Sequence, residues 1–406
     1  MNRTIRALAF ALAVTAAPAF AQEPAPPAPV PAPDLGKLGA AQAAQANLAV
    51  GVDEARTRVV KAVGWLLANQ HPDGSWGAGA MDSVQFTNFS VETYFAFQYA
   101  ANSLGFLALL AVDATPERDA AATKALEWLL TARVAKRGSD WDVDCSWAAL
   151  YGFQAMVAAA SDPRFQTEAH WERVAKRGQE LYTLLEQNQE PLGGWGYYEG
   201  PVVSQRPTWS TSFATACVIP SLVKARGLEW KVDAAVLERA VKYVERCKLP
   251  GGACMYDLRP IPRRPGESID NVKGSLGRMQ VSNWALRRAG RAQVTDEVLR
   301  EALASFFEHH QFLDVARMRP VPHEAYYANA AYFYMFAHCY AAQAINELPE
   351  AERPEWHRRL RAHLAKIQWE DGSSLDFPNM SCMQTAGTAF SILAFQAGLP
   401  GAKAIL

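Results

Sequence analysis

A repeat of about 60 residues constrains the fold of this chain more than any other feature of its sequence. A helix-like amphipathic run that ends in Gln, followed by a Gly-rich turn and Trp, occupies residues 57–77 and again 174–196. A third version at 358–374 keeps the glutamine and the glycine but lacks the tryptophan after the glycine. Weaker copies occupy 121–133, 236–252 and 298–314. The sequence therefore predicts six copies of one structural unit.

Each copy has a second half that is rich in small, apolar and aromatic residues. These halves are 99–112, 146–160, 211–226, 274–289, 328–345 and 385–397. The first halves carry charges along one face, so we expect them outside and the apolar halves inside. No run alternates at the period of a β-strand. Because six helical hairpins can close into a ring without exposed ends, we predict an all-α fold, an (α/α)6 toroid of six helical hairpins.

The N-terminal segment has the features of a secretion signal. Arg3 and Arg6 precede an apolar stretch at 7–17, and Ala19-Phe20-Ala21 matches a cleavage site. That stretch is too short to span a membrane, and we expect no later transmembrane segment. We predict cleavage after Ala21 and export to a bacterial periplasm or the cell exterior. A Pro/Ala-rich tether at 22–50 then precedes the toroid domain at 51–406.

The charge balance argues against a nucleic-acid partner. The chain has 40 Lys and Arg residues against 41 Asp and Glu residues, a formal net charge of −1. Nucleic-acid binding depends on a concentrated positive surface, and the basic residues here form only short, scattered runs. Nothing in the sequence predicts a particular protein partner.

The cysteines carry no metal-binding signature. The six cysteines show no CxxC spacing, and the chain has no HExxH motif. Export permits disulfides, and Cys247 and Cys254, which flank a Pro-Gly-Gly turn, are the pair that we expect to form one. The other four occupy apolar runs and are predicted to be buried thiols.

The repeated phrase resembles the QW motif of the terpenoid cyclase and protein prenyltransferase superfamily, in which Gln is followed by Gly-Xaa-Trp. Gln70 with Gly74-Ser75-Trp76 and Gln189 with Gly193-Gly194-Trp195 match it. The resemblance covers essentially the whole domain and implies an (α/α)6 barrel around a central, often apolar, cavity. Physically, the glycines permit a tight turn and the Gln amide can satisfy backbone groups of a neighbouring helix. These residues are therefore interpreted as scaffold.

An acidic stretch, Asp142-Val143-Asp144-Cys145-Ser146, precedes the second apolar run. It resembles the acid motif of class II triterpene cyclases, the squalene-hopene and oxidosqualene cyclases. The resemblance implies that Asp144 donates a proton to an alkene or epoxide, with Asp142 and Cys145 as hydrogen-bonding neighbours. Such chemistry needs a carboxyl group kept protonated by its surroundings and aromatic faces that stabilise carbocations. The simpler alternative is that Asp142 or Asp144 caps the helix.

The starts of the inner helices converge on one rim of a closed ring, which makes this rim the expected ligand site. Glu324 and Asp376 also belong to it, whereas His309 and His310 are expected at the outer surface. The predicted ligand-binding residues are Trp147, Trp209, Phe213, His323, Tyr327, His338 and Phe390.

A second resemblance concerns metal. Protein prenyltransferase β subunits bind zinc through an Asp, a Cys and a His on inner helices. The corresponding residue types here are Asp142 or Asp144, Cys145 and His338. Zinc at these residues is the alternative to our expectation of no metal and no other cofactor.

Three functions follow as hypotheses. The first is an exported terpenoid-cyclase-like protein that binds an apolar small molecule or lipid of isoprenoid type in its central cavity. If it is an enzyme, Asp144 would cyclise that ligand by protonation. The second is a non-catalytic protein that binds a peptide, a glycan or a protein partner at the rim. The third is a polysaccharide lyase or hydrolase, whose catalytic groups could come from His323, Glu324, Tyr326 and Tyr327.

Overall fold

A computed structural model describes residues 50–82, 90–139, 142–197, 207–228, 230–259 and 268–403. Within these ranges the chain forms α-helices and 310 helices and no β-strand, which confirms the prediction of an all-α fold. The predicted signal peptide and all of the tether except Val50 lie outside the described residues.

The described helices follow the repeat. In chain order they are α1 (Val52–Ala68), α2 (Val91–Ala111), α3 (Pro116–Thr131), α4 (Ser146–Ser161), α5 (Glu168–Gln187), α6 (Ser212–Gly227), α7 (Ala234–Cys247), α8 (Leu276–Arg288), α9 (Asp296–Glu308), α10 (Gln311–Ala316), α11 (Phe333–Asn346), α12 (Arg353–Ile367) and α13 (Ser381–Ala397). Short 310 helices occupy Pro163–Phe165, Val272–Gly274 and Tyr326–Ala328.

The inner helices α2, α4, α6, α8, α11 and α13 form a closed ring. Each packs against the next, and the last helix, α13, packs against α2. Around them lie α1, α3, α5, α7, α9 and α12, one from each repeat. The inner helix α4 is buried continuously from Ala148 to Ala160, whereas α5 buries one stripe that includes Val174, Leu181 and Leu185, as an amphipathic outer helix should. The predicted (α/α)6 toroid is confirmed.

Helix α2 bears on the expectation that no later segment spans a membrane. It is 21 residues long and apolar enough, by length and composition, to cross a membrane. However, 89% of its apolar stretch is buried inside the protein, where α2 packs against α4 and α13. The burial of α2 as one of the six helices of the inner ring accounts for its composition.

The glutamines of the QW-like phrases tie consecutive repeats together. Gln189 Nε2 donates to the carbonyl of Gly193 in its own turn and to that of Val236 in the next outer helix, both across 2.8 Å. Trp195 is buried below this turn and donates from Nε1 to the Leu185 carbonyl across 2.7 Å. The motif therefore acts as scaffold, as predicted.

The same bridge closes the ring. Gln70 Nε2 donates to the Ala121 carbonyl across 2.9 Å, which joins the first repeat to the second. Gln368 Nε2 donates to the Arg58 carbonyl across 3.0 Å, which joins the last repeat to the first. The third copy of the motif, at Gln368, thus keeps the bridging hydrogen bond although it lacks the tryptophan.

The expected disulfide is not formed. All six cysteines are free and buried. The turn between Cys247 and Cys254 is instead closed by the backbone hydrogen bond from Met255 N to Cys247 O, 2.8 Å long. The Cys254 thiol lies 3.3 Å from Ser282 Oγ.

Candidate functional site

The acidic stretch ends directly before α4, at the mouth where the inner helices begin. Asp144 has a left-handed backbone conformation with φ of 65°, which residues other than glycine rarely adopt. The N-cap of α4 is Cys145, and no side chain caps the helix. Instead, the indole Nε1–H of Trp147 donates to Asp144 Oδ1 across 3.1 Å. The capping alternative is therefore wrong for Asp144.

The surroundings of Asp144 favour its protonated form. Burial raises the pKa of this carboxyl to about 7, and the hydrogen bond from Trp147 opposes this only in part. A group with a pKa near neutrality is present in both protonation states at pH 7, so it can release and recover a proton during a reaction. Asp144 is therefore the candidate proton donor of this mouth.

The other two residues of the acidic motif have different surroundings. Asp142 is buried and accepts hydrogen bonds from the backbone N–H groups of Gly138, at 2.7 Å, and Ser139, at 2.6 Å. Burial acts to raise the pKa of Asp142, but hydrogen bonds from Ser90 and these two groups outweigh it and lower the pKa. Asp142 is therefore an ionised anchor for the preceding loop. The capping alternative is wrong for this residue too.

Cys145 is buried next to the acid. Its thiol Sγ lies 3.9 Å from the carbonyl oxygen of Val143. The hydrogen bonds described for Cys145 and for Asp142 do not include Asp144. The support that the cyclase resemblance implies for the acid is therefore not seen among the described contacts.

Aromatic side chains fill the interior below Asp144. Tyr151 on α4 contacts Phe390 on α13, with ring centroids 5.9 Å apart, and Phe213 on α6 contacts Phe336 on α11 at 5.6 Å. These helices are not neighbours in the ring, so both contacts cross its interior. From the mouth inwards, each ring contacts the next in the order Trp147, Tyr151, Phe390, Phe336, Tyr340 and Trp284. The distances between successive ring centroids are 5.8, 5.9, 6.2, 4.5 and 5.4 Å. The protein's own side chains thus occupy space that the predicted central cavity would need.

A hydrogen-bonded tyrosine and histidine share the mouth with Asp144. His323 Nδ1 lies 2.7 Å from the carbonyl of Ala328 and must donate to it, which leaves Nε2 to accept from the Tyr332 hydroxyl at 2.9 Å. Burial raises the pKa of Tyr332 well above its ordinary value, and nearby Tyr197 and Asp144 raise it further. The two tyrosines and the acid therefore lie close enough to interact electrostatically.

A buried arginine adds positive charge behind these groups. Arg278 is 1% exposed, and its Nε donates to the Cys254 carbonyl across 3.2 Å. Its guanidinium lies over the rings of Tyr256, at 5.4 Å, and Phe333, at 5.6 Å. Burial lowers the pKa of Arg278, and Tyr197 and Tyr332 are among the groups whose charges would act on it.

Trp209 forms a second aromatic wall of the mouth. Its indole N–H donates to Asp257 Oδ2 across 3.0 Å, and Arg259, which pairs with the same carboxylate at 2.8 Å, lies 4.8 Å above the ring. Trp209 contacts Tyr197 edge to face at 4.8 Å. The indole is therefore held in place while part of it stays exposed.

The structure brings together some of the predicted ligand-binding residues and separates others. Trp147, Trp209 and Phe213 surround Tyr197, and His323 joins them through Tyr256. Phe390 lies deeper, against Tyr151.

Two predicted residues lie elsewhere. Tyr327 packs against Phe312 at 4.8 Å and Lys273 at 5.4 Å. His338 contacts His310, with 3.0 Å between their Nε2 atoms. The zinc ligands suggested by the prenyltransferase resemblance, which included His338 and the acidic motif, are therefore not assembled among the described residues.

Sequence reasoning missed Tyr197, Tyr256 and Arg278. For two of these a signal exists in the repeat. Tyr197 and Tyr256 each come four residues after a positive-φ glycine of the turn, Gly193 and Gly252. Asp376 occupies the same place after Gly372, so one repeat position supplies several side chains to this mouth.

A separate cavity of about 530 Å³ opens at the opposite mouth, where the inner helices end. Ala111 and Ala397 mark the helix ends there, and Arg288, Arg353 and Arg361 contribute positive charge. None of the predicted site residues lines it. It is thus distinct from the Asp144 site.

Comparison with solved structures places the fold among α/α toroid enzymes. A possible member of the GH105 family from Salmonella enterica aligns with a TM-score of 0.54 and 11% identity over 86% of this chain and 94% of that one. An inactive variant of the α-1,6-mannanase GH76A of Salegentibacter sp. HEL1_6, in complex with α-1,6-mannotriose, has a TM-score of 0.52 and 14% identity over 84% and 98% of the chains. The type II terpene cyclase MstE from Scytonema has a TM-score of 0.49 and 15% identity over 86% and 100%.

These comparisons define the class of protein and no more. No protein-family model matches the sequence, and no curated protein is similar to it at a significant level. The protein has the α/α toroid fold of the possible GH105-family member and the GH76A mannanase, and at these identities the likeness is one of fold alone.

Proposed function

We propose that this toroid is a carbohydrate-cleaving enzyme in which Asp144 is the general acid. The observation that carries the proposal is the state of this carboxyl. Burial raises its pKa to about 7, and it accepts a hydrogen bond from the indole of Trp147 across 3.1 Å at the mouth of the toroid. Protonation of an alkene needs a strong acid, whereas protonation of a departing glycosidic oxygen is best served by an acid whose pKa lies near the working pH.

The groups around Asp144 suit a sugar. Trp147 and Trp209 are partly exposed aromatic side chains, against which a sugar ring can pack. Tyr332 and His323 supply a hydrogen-bonded pair at the same mouth, able to orient a hydroxyl group or accept a proton. Such a mixture of apolar faces and a few placed polar groups is typical of small-molecule sites. Export, if it occurs, would bring the enzyme to extracellular polysaccharide.

An isoprenoid ligand is the second candidate. It is favoured by the rings beside the acid, since Trp147 lies 6.1 Å from Tyr197 and 5.9 Å from Phe213, and aromatic faces stabilise cations. The aromatic rings that cross the interior make this candidate the weaker one, because a long apolar chain needs room to fold.

The test compares wild type with Asp144→Asn on a panel of neutral and uronic-acid polysaccharides. Released reducing ends measure any cleavage, and the absorbance of unsaturated uronate distinguishes a lyase from a hydrolase. We expect Asp144→Asn to lose at least about 100-fold in rate, the contribution of a general acid. Wild-type activity should also fall as the pH rises through about 7, since the protonated carboxyl is the active form.

Asp376→Asn is the comparison at a second carboxyl of the same mouth. Burial also raises the pKa of Asp376 to about 7, but its Oδ2 accepts from the backbone N–H of Met335 across 2.8 Å. This variant should lose much less activity than Asp144→Asn, because that hydrogen bond holds Asp376 against the start of α11. If wild type cleaves no glycan and co-purifies with an isoprenoid in lipid mass spectrometry, the second candidate replaces the first. If neither is found, a non-catalytic binding protein remains.

A further inference from the structure

A cluster of three histidines and one aspartate lies outside the site described above. His310 immediately precedes α10, Asp314 lies within α10, His338 lies on α11 and His363 on α12. His310 is 1% exposed and His338 is fully buried. The expectation that His310 lies at the outer surface is therefore wrong, because the chain after α9 turns inwards and packs α10 against α11.

The side chains of this cluster form a chain of short polar contacts. His310 Nδ1 lies 3.1 Å from Asp314 Oδ2, and His310 Nε2 lies 3.0 Å from His338 Nε2. His338 Nδ1 lies 2.7 Å from the carbonyl oxygen of Tyr334. This series of contacts thus has a carboxylate at one end and a backbone carbonyl at the other, and neither of these groups can donate a hydrogen bond.

A count of protons shows that this series of contacts lacks one proton, and therefore one positive charge. Three contacts require three protons, but two neutral imidazoles carry only two. One of these contacts must therefore hold a further cation, which is either an added proton or a metal ion. A metal ion bound between His310 Nδ1 and Asp314 would leave Nε2–H of His310 to donate to His338, which satisfies every contact.

His363 favours the metal ion. Its ring lies against that of His310 with centroids 3.6 Å apart. One potential ligand atom from each of His310, Asp314 and His363 lies within 4.8 Å of the other two. Ligands of a tetrahedral zinc ion with bonds of about 2.0–2.1 Å lie roughly 3.3 Å apart. A rotation of the His363 ring away from its stack on His310, with small shifts of the other two side chains, brings these three atoms to binding distance. A third nitrogen ligand within reach is what a metal ion requires, whereas a single added proton between His310 and Asp314 does not require it.

We propose that His310, Asp314 and His363 bind a divalent transition-metal ion, with zinc the expected one, and that His338 supports His310 from behind. Imidazole nitrogen and carboxylate oxygen are common zinc ligands. A ligating histidine commonly donates a hydrogen bond from its other ring nitrogen to a fixed acceptor. Here His338 would be that acceptor for His310. Asp314 and His363 are partly exposed, which gives the ion access from solvent. The ion ties α10 to α12 and is independent of chemistry at Asp144.

The experiment measures zinc binding by the full chain. The protein is stripped with a chelator, dialysed, and titrated with zinc against a chromophoric competitor, and bound metal is counted by inductively coupled plasma mass spectrometry. Cobalt(II) serves as a spectroscopic probe, because its visible absorption reports coordination number. Wild type should bind one zinc ion per chain and unfold at a higher temperature with zinc than with chelator.

Variants separate ligands from neighbours. His363→Asn and Asp314→Asn should lose at least tenfold in zinc affinity, and His338→Asn about 10–100-fold, the range found for supporting partners. His309→Asn is the matched control, since His309 adjoins His310 in sequence but is not in the ligand group, and it should bind zinc like wild type. Asp144→Asn should also bind like wild type.

Two results would overturn the proposal. One is a wild-type chain that binds neither zinc nor cobalt after reconstitution, which would assign the missing charge to a proton. The other is wild-type affinity in folded His363→Asn and Asp314→Asn. Circular dichroism of each variant confirms that it is folded before its affinity is compared.

Discussion

The indole of Trp147 and the carboxyl of Asp144 form a hydrogen bond of 3.1 Å between residues only three positions apart. The bond joins a side chain on the first turn of α4 to a residue outside the helix, whose left-handed φ of 65° bends the chain there. A non-glycine residue in this region costs about 1–3 kcal/mol, and such strain is concentrated at functional sites. The acid is therefore placed by local geometry that the helix alone does not require.

Asp144→Asn should stabilise the protein at alkaline pH. The pKa of Asp144 is raised from 3.8 to about 7 in the folded state. The folded chain thus holds a proton that the unfolded chain releases, and the free energy of unfolding falls as the pH rises between these values. Asparagine cannot ionise, so the variant should exceed wild type by about 1–3 kcal/mol at pH 8. Urea unfolding at pH 4 and pH 8 measures this. An equal difference at both pH values would show that ionisation of Asp144 is not responsible.

Asp142→Asn should have the opposite effect on stability. The pKa of Asp142 is lowered in the folded state by hydrogen bonds that outweigh burial. Its ionised form therefore adds stability above the ordinary pKa, and this stability is lost as the pH falls through the folded-state value. We expect a loss of about 1–3 kcal/mol at pH 7 that shrinks in acid. The same unfolding series measures it, and a variant as stable as wild type at pH 7 would contradict the anchoring role.

The fold was predictable from the sequence because the turn residues repeat. Gln70, Gln189 and Gln368 mark corresponding places, and the same donor bridges neighbouring repeats at each of them. A pattern of this kind survives divergence in the rest of the repeat, since backbone carbonyls need the same partner wherever a turn meets the next helix.

The candidate site was less predictable, for two physical reasons. The acidic motif pointed to Asp144 as the candidate acid. Whether inner aromatic residues such as Tyr151 and Phe390 leave a cavity or fill it depends on how the helices pack across the ring. His310 and His363 are separated by two helices in sequence, and His310 is buried because α10 follows α9 closely and turns inwards. No local pattern reports either arrangement.

Gln189→Ala should destabilise the toroid. The amide Nε2 donates to two carbonyls, and Oε1 accepts from Arg239 Nε across 2.9 Å. Removal leaves these buried groups unsatisfied, at about 2–3 kcal/mol. The control is Gln187→Ala, two residues earlier and exposed, for which we expect a change within about 0.5 kcal/mol. Chemical unfolding of both variants tests the difference, and equal stabilities would remove the bridging role.

Gly372→Ala tests whether the last repeat closes tightly on the first. Gly372 has a φ of 92°, and an added Cβ would clash with the backbone carbonyl of Lys61 on α1. Both the conformation and the close approach require glycine, so we expect alanine to cost more than about 2 kcal/mol. Gly251→Ala is the matched control, because Gly251 has no positive φ and no atom within 4 Å of an added Cβ. Thermal and urea unfolding of the two variants measure the effect. A Gly372→Ala protein as stable as its control would mean that α1 and the final turn do not meet as closely as described, and that the ring is held by the inner helices alone.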